Sequence, residues 1–261
     1  MIPIKEEYRV VTLGDTQFRP ARNGEPSGED PKVLREIVLP FIKMFKPRTV
    51  VHKGDLIDLP SLSKYESHLG DAEAVETALT DYRYTNEWLD EIDEAAHGAL
   101  DYVIEGNHEV RAKKWSARAS RRHLRDTVNV EKNLRFKERG IRYVPYWSNK
   151  IKLLTLGKAN FCHGLSTAPT HARVMAGKYP GMNLYYGHTH DRQFYSPHYL
   201  HEVGSDGCLC RLYQPYNEGA PTNWRHGFSA FTFFKGGGYI CEPILIVNGR
   251  MCFGGKLFKG R

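Results

Sequence analysis

Three observations predict an α/β fold with a two-layered β-sheet core flanked by helices. Apolar runs of strand length alternate with segments of helical periodicity through the first half of the chain. After His190 the pattern changes to β-rich runs separated by glycine turns. Between these features lie five short polar clusters, each directly following a run that reads as a buried strand.

In order along the chain, Tyr8 to Leu13 is the first expected strand, followed by a polar loop from Arg19 to Asp30. Pro31 to Phe45 has helical periodicity, with Val33, Leu34, Ile37, Val38, Phe41, Ile42 and Phe45 on one broad face. Asp30 followed by Pro31 is a good helix start. Thr49 to His52 is the second strand, Asp71 to Ala96 a long helix with acidic residues early, and Leu100 to Ile104 the third strand. Trp115 to Leu124 is expected as a basic helix. Such alternation implies a mainly parallel central sheet. Lys158 to Cys162 and Asn183 to Tyr186 are two further strands. Phe228 to Phe234, Ile240 to Val247 and Met251 to Phe258 then read as antiparallel strands, turned at Gly236-Gly237-Gly238 and Asn248-Gly249. No repeat, low-complexity tract or linker interrupts residues 1–261, so one domain is expected.

The chain has 261 residues and no apolar run long enough to span a membrane. Met1 to Glu7 lacks the basic and apolar regions of a signal peptide, so the cytosol is the expected compartment. Five cysteines without a secretory signal argue for reduced thiols. Cys208-x-Cys210 with Cys241 and Cys252 is a formal zinc candidate, but small apolar residues in strands is the simpler reading. Net charge is +7, and it is uneven. Between Arg111 and Arg142 twelve Lys or Arg stand against three acids, an excess of nine. Such a segment attracts polyanions, and nucleic acid is the expected partner. Trp115, Tyr143, Tyr146 and Trp147 near it could stack bases, or lie in the core.

The five clusters are Gly14-Asp15-Thr16-Gln17, Gly54-Asp55-Leu56-Ile57-Asp58, Gly106-Asn107-His108-Glu109, His163-Gly164 and Gly187-His188-Thr189-His190. In open α/β sheets ligands gather beyond the carboxyl ends of the strands. Asp, Asn and His at five such ends are metal-ligand types that can converge on one point. Taken singly, each has a plainer reading: Asp15 as a turn former, Asn107 as a left-handed residue, His163 or His188 as an interior histidine.

Their order resembles that of calcineurin-like metallophosphoesterases: Asp-x-His, Gly-Asp-x-x-Asp, Gly-Asn-His-Glu, His-Gly, Gly-His-x-His. The match runs from Asp15 to His190, with Asp15-x-Gln17 as the one departure. Gly204-Ser205 and the stretch from Asn223 to Phe228 are also similar to members of that family, including bacterial and bacteriophage ones. The resemblance implies a four-layer α/β/β/α sandwich with a mixed β-sheet core. It implies two divalent metal ions, Mn²⁺ first, with Fe or Zn²⁺ as alternatives. One metal would take Asp15, Gln17, Asp55 and His190, the other Asp55, Asn107, His163 and His188, with Asp55 bridging. His108 would bind phosphate oxygens or protonate the leaving oxygen, oriented by Asp58; a helix cap near Pro60 is the other reading of Asp58. Two metals about 3.5–4 Å apart suit phosphate-ester hydrolysis, because they neutralise charge and activate water at neutral pH.

Arg111, Lys113 and Lys114 adjoin His108 and are candidates for substrate binding, as is His171, eight residues past His163. His52 reads as structural. Leu59-Pro60 stands where the family's protein phosphatases carry Arg-Gly, which argues against a protein substrate. The leading expectation is a phosphodiesterase or nuclease acting on DNA. The alternatives are an enzyme of small phosphate esters or cyclic nucleotides, and a non-catalytic scaffold on the same fold.

Overall fold

A computed structural model describes the chain except residues 1–3, 5, 23, 67, 146–152, 199–200, 215–221 and 261. Tyr146 and Trp147 therefore lie outside the described residues.

The first strand, β1 (Tyr8–Leu13), alternates its side chains between two apolar environments. Val11 and Leu13 face the helical layer, while Val10 faces the second sheet. Helix α1 (Pro31–Val33) starts where expected, with Asp30 Oδ1 accepting from the Lys32 and Val33 amides, each at 3.1 Å. The helical path then widens into a π-helical turn over Leu34–Val38 before α2 (Leu39–Phe45). Pro40 is the reason: it has no amide to give, so the preceding turn cannot close with α-type bonds. Next come β2 (Thr49–His52), α3 (Asp71–Ala96) and β3 (Leu100–Ile104).

The expected basic helix from Trp115 to Leu124 does not form. Helix α4 instead spans Glu109–Ser116, and a separate 3₁₀ segment covers Ala119–Leu124. Ser116 Oγ donates to the Ala112 carbonyl at 2.8 Å, and local side-chain bonding of this kind favours a helix end. Short elements follow: α5 (Val130–Asn133), β4 (Arg142–Val144), β5 (Leu154–Leu156), β6 (Ala159–Phe161), α6 (His171–Lys178) and β7 (Asn183–Tyr186). Strands β8 (Arg192–His198), β9 (His201–Asp206), β10 (His226–Phe233) and β11 (Tyr239–Ile246) follow. Met251 to Phe258, expected as one strand, is a hairpin of β12 (Arg250–Phe253) and β13 (Lys256–Lys259). Gly254 and Gly255, both at positive φ, make the turn.

One sheet has the order β11-β10-β1-β2-β3-β4, parallel from β1 to β4 and antiparallel at β10 and β11. The other has the order β5-β6-β7-β9-β8 and is also mixed. Three apolar cores stack through the molecule. The largest joins α2 and α3 to the first sheet through Phe41, Trp88, Val50 and Phe228. The second lies between the sheets, where Val10, Val51 and Ile104 meet Leu156, Phe161 and Tyr185. The third seats Met175 and Ala176 of α6 on Leu184, Tyr186 and Val203. Helix, sheet, sheet and helix thus form four layers, the α/β/β/α sandwich.

Candidate metal centre

Strand register brings the polar clusters together. Leu13 pairs with His52 and His52 with Val103, so β1, β2 and β3 end side by side. In the second sheet Phe161 pairs with Tyr185 and Tyr185 with Gly204, aligning the ends of β6, β7 and β9. The loops beyond these ends are held by backbone bonds, including Asp15 N to Gly54 O at 3.0 Å and Gln17 N to Asp55 O at 2.9 Å. Asp15, Gln17, Asp55, His188 and His190 all adopt positive φ, half of the ten non-glycine residues described as doing so. That conformation is costly away from glycine, and its concentration at candidate ligands marks a site whose geometry outweighs local preference.

The donor atoms form two overlapping sets. Asp15, Asp55 and His190 each offer one atom within 4.8 Å of the others, and so do Asp55, His163 and His188. Asp55 belongs to both sets. Its Oδ1 accepts from the His108 amide at 2.9 Å, and its Oδ2 lies 3.3 Å from His163 Nε2. Asn107 Oδ1 is 2.9 Å from the same Nε2. His163 Nδ1 donates to the Lys53 carbonyl at 2.9 Å, which fixes the ring and aims Nε2 into the cluster. On the other side His190 Nε2 lies 3.2 Å from Asp15 Oδ1, and the Gln17 amide reaches to 3.4 Å from that Nε2. The His188 amide donates to both Asp15 oxygens, at 2.9 and 3.0 Å.

The electrostatics fit a cation. Burial raises the pKa of Asp15 and of Asp55 and opposes their charge, yet the surrounding histidines hold both carboxyls below their usual range. Burial lowers that of His163, but the Asp55 and Asp15 carboxylates lift it to about 9. Its imidazolium then occupies the place of a positive charge between Asp55 and Asn107. Burial and the charge of His163 push His188 down to about 4, leaving it neutral with a lone pair available. Nitrogen and oxygen donors in this mixture suit Mn²⁺, Fe or Zn²⁺.

Beside the donors sits a second network. His108 Nδ1 is 2.9 Å from Asp58 Oδ1, an approach too oblique for a formed hydrogen bond, and His108 Nε2 is 3.7 Å from Asp55 Oδ2. Arg19 Nε donates to Asp58 Oδ2 at 3.0 Å, and Arg111 Nη1 donates to Asp58 Oδ1 at 2.9 Å. Burial opposes the Asp58 charge, but His108, Arg111 and Arg19 hold it well below the carboxylate range. Arg111 Nη2 lies 3.0 Å from His108 Nε2. Asp58 does not cap the short helix at Pro60, which has no side-chain cap.

The role of Glu109 escaped sequence reasoning. Its Oε1 accepts from the Leu56 and Ile57 amides at 2.6 and 3.1 Å, and its Oε2 from the Gly106 and Asp55 amides at 2.7 and 3.1 Å. One buried carboxylate therefore staples the Asp55 loop to the start of α4. Burial and the neighbouring Asp55 charge raise its pKa to about 7. Gly106 is required by this proximity, because a Cβ there would come within 2.2 Å of Asp55 N and Oδ1. A glutamate in a first helical turn next to His108 was the only available signal.

The remaining expected residues lie further from the donors. His171 is buried, with Nδ1 2.6 Å from the Tyr186 hydroxyl and Nε2 3.4 Å from Asp191 Oδ2, so it serves the α6 interface rather than an open face. Lys113 pairs with Glu105 at 2.5 Å. Lys114, Arg118, Arg122 and Arg125 are exposed. Trp115 is buried under Arg121, 4.5 Å from its ring centroid, and Tyr143 packs on Phe136 with its hydroxyl 3.0 Å from Glu105; neither is an open stacking platform. His52 is buried between Thr16 and the Gly54 amide, consistent with a structural role. Cys208 and Cys210 group with His190, whereas Cys241 and Cys252 join no such group among the described residues.

No family model matches the chain. It is 24% identical to the Gene 54 protein of Mycobacterium phage L5 over 264 residues, covering 96% of this chain and 98% of that protein. It is 25% identical to the Gene 54 protein of Mycobacterium phage D29, with the same coverage. Among solved structures, Vps29 of Chaetomium thermophilum aligns over 91% of this chain and 97% of its own, with a TM-score of 0.40 and 13% identity. Among the described residues, no helix is long and apolar enough to cross a membrane.

Proposed function

We propose that the protein is a metal-dependent phosphoesterase acting on phosphodiesters, with DNA as the leading substrate. The observation that carries this reading is Asp55, one carboxylate shared by two overlapping donor sets beside a histidine backed by Asp58. The order of the motifs, similar to that of calcineurin-like metallophosphoesterases, agrees with it. Asp15, Gln17, Asp55 and His190 would hold one divalent ion and Asp55, Asn107, His163 and His188 the other. When bound, such a pair supplies charge neutralisation at the phosphate and an acidified water.

The chain's own residues supply the rest. In the geometry described, the His108 ring offers its Nε2 lone pair to Arg111, with its proton on the Nδ1 side toward Asp58. A phosphate entering here competes for the Arg111 guanidinium, which Asp58 keeps in place by its second nitrogen bond. That frees the His108 Nε2 lone pair to take a proton from solvent and pass it to a departing alkoxide, with Asp58 stabilising the imidazolium in between. The exposed Lys114, Arg118, Arg122 and Arg125 on and after α4 would extend the attraction to a polyanion.

The test is hydrolysis of bis-p-nitrophenyl phosphate and of single- and double-stranded DNA by protein loaded with Mn²⁺, Fe²⁺ or Zn²⁺. Asp55→Asn should lose metal and activity together. His108→Asn should keep its metal and lose roughly 10²–10⁴-fold in turnover. Reversing the charges of Arg118, Arg122 and Arg125 should weaken DNA binding, with a shallower salt dependence, and spare the small diester. Hydrolysis of small esters with no DNA preference would move the substrate to the small-molecule class. No hydrolysis with any of the metals would leave a non-catalytic scaffold.

A further inference from the structure

The loops beyond β7 and β9 assemble a second kind of donor set. Cys208 and Cys210 follow β9, and His190 follows β7. One atom from each lies within 4.8 Å of the other two, and all three residues are buried. The Cys210 sulfur is 3.6 Å from His190 Nδ1, the ring face opposite the Asp15 carboxylate. The geometry points to a thiolate site for a soft divalent cation of the zinc type, formed by Cys208 Sγ, Cys210 Sγ and His190 Nδ1.

Bond lengths of ~2.3 Å to sulfur and ~2.0 Å to nitrogen place two corners of a tetrahedron about 3.5 Å apart, close to the 3.6 Å between Cys210 Sγ and His190 Nδ1. Among the described residues the sulfurs have only weak partners: Cys208 Sγ reaches the Arg225 carbonyl at 3.6 Å and the Cys210 carbonyl at 4.0 Å. Their backbones, by contrast, are held firmly. The Cys208 amide donates to Arg225 O at 2.9 Å, the Cys210 amide to Asp15 O at 2.8 Å, and the Arg225 amide to His190 O at 2.9 Å. The donors therefore need little rearrangement to receive an ion, which favours affinity. The Trp224 ring packs edge-on against His190, with ring centroids 4.2 Å apart. The ring tautomer is also suitable. Bound through Nδ1, His190 carries its proton on Nε2 toward Asp15 Oδ1 at 3.2 Å, so a thiolate-bound ion takes His190 in place of the ion that Asp15, Gln17 and Asp55 would share with it. Binding releases the two thiol protons to solvent, because only the thiolate ligates.

Cobalt(II) titration of metal-free protein tests the proposal, because thiolate-to-cobalt charge transfer absorbs in the near ultraviolet and carboxylate or imidazole ligation does not. The wild type should develop this band, Zn²⁺ should bleach it, and Cys208→Ser and Cys210→Ser should each lose most of it. The band reports sulfur ligation whether or not any phosphodiester is hydrolysed, so its outcome is separate from that of the phosphoesterase assay. Saturating cobalt without a sulfur band in the wild type overturns the proposal with no variant needed. Persistence of the full band in both folded serine variants also overturns it.

Discussion

Replacing Glu109 by Gln changes one atom in the staple that joins two donor loops, and its cost can be worked from the bonds. Each carboxylate oxygen accepts two backbone amides: Leu56 and Ile57 on Oε1, Gly106 and Asp55 on Oε2. A glutamine presents an NH₂ group to one of these pairs in either orientation, so no flip escapes the conflict. Two buried amides lose their acceptor, at about 1–3 kcal/mol each, for a total of roughly 2–6 kcal/mol. For a chain of this size the midpoint of thermal unfolding falls by ~2–4 °C per kcal/mol, so a decrease of roughly 10 °C is expected.

Circular dichroism melts of metal-free protein measure this, and metal content after Mn²⁺ loading should fall in the same variant. The pH dependence adds a check. The folded-state pKa of Glu109 is raised from 4.5 to about 7, so its contribution is fully present below 4.5 and is lost as pH rises through 7. Glutamine does not titrate, and the gap between wild type and variant should therefore narrow over that window. A melting point unchanged within about 2 °C, with full metal uptake, would refute the assignment of Glu109 as the staple.

Gly106→Ala places a Cβ within 2.2 Å of Asp55 N and Oδ1, and unfolding experiments should show a loss of about 3 kcal/mol or more together with lost metal uptake. His163, held near 9 without metal, must give up its proton to a cation, so Mn²⁺ affinity by calorimetry should rise up to about tenfold per pH unit between 6.5 and 9. Stability of the metal-free protein should fall across that same window, since a raised histidine pKa contributes fully below 6.5 and is lost through 9. Gln17→His should tighten the Asp15 side alone, bringing two unequal Mn²⁺ affinities closer; a titration with Gln17→Ala indistinguishable from wild type would remove Gln17 from the ligand set.

What could be read from the sequence follows from where its signals are local. Helix α3 matches its expected bounds because Gly70 and Gly98 bracket a long periodic run. The five polar clusters were visible because parallel strands end abruptly in loops, and Asp, Asn and His in those loops stand out against apolar runs. Met251 to Phe258 misled because its apolar alternation continues across Gly254-Gly255, so only the two positive-φ glycines distinguish a hairpin from a strand. Strands β4 and β5, three residues each, carry too little pattern to be read from the sequence, whereas the equally short β6 falls within the expected run from Lys158 to Cys162. The partners of the site lie further out of reach. His190 meets Cys210 only because β7 and β9 pair in parallel, with Tyr185 opposite Gly204, and nothing within twenty residues of either signals that register. Asp58 keeps a helix cap as its alternative to a histidine partner until Arg19 and Arg111 are seen on its two oxygens. The residues that would touch a metal are thus marked by type and local position. The Lys53 carbonyl behind His163, which sets that ring's tautomer, is fixed instead by a contact between sheets. Substitutions at that outer layer should therefore change metal choice and affinity before they change the fold.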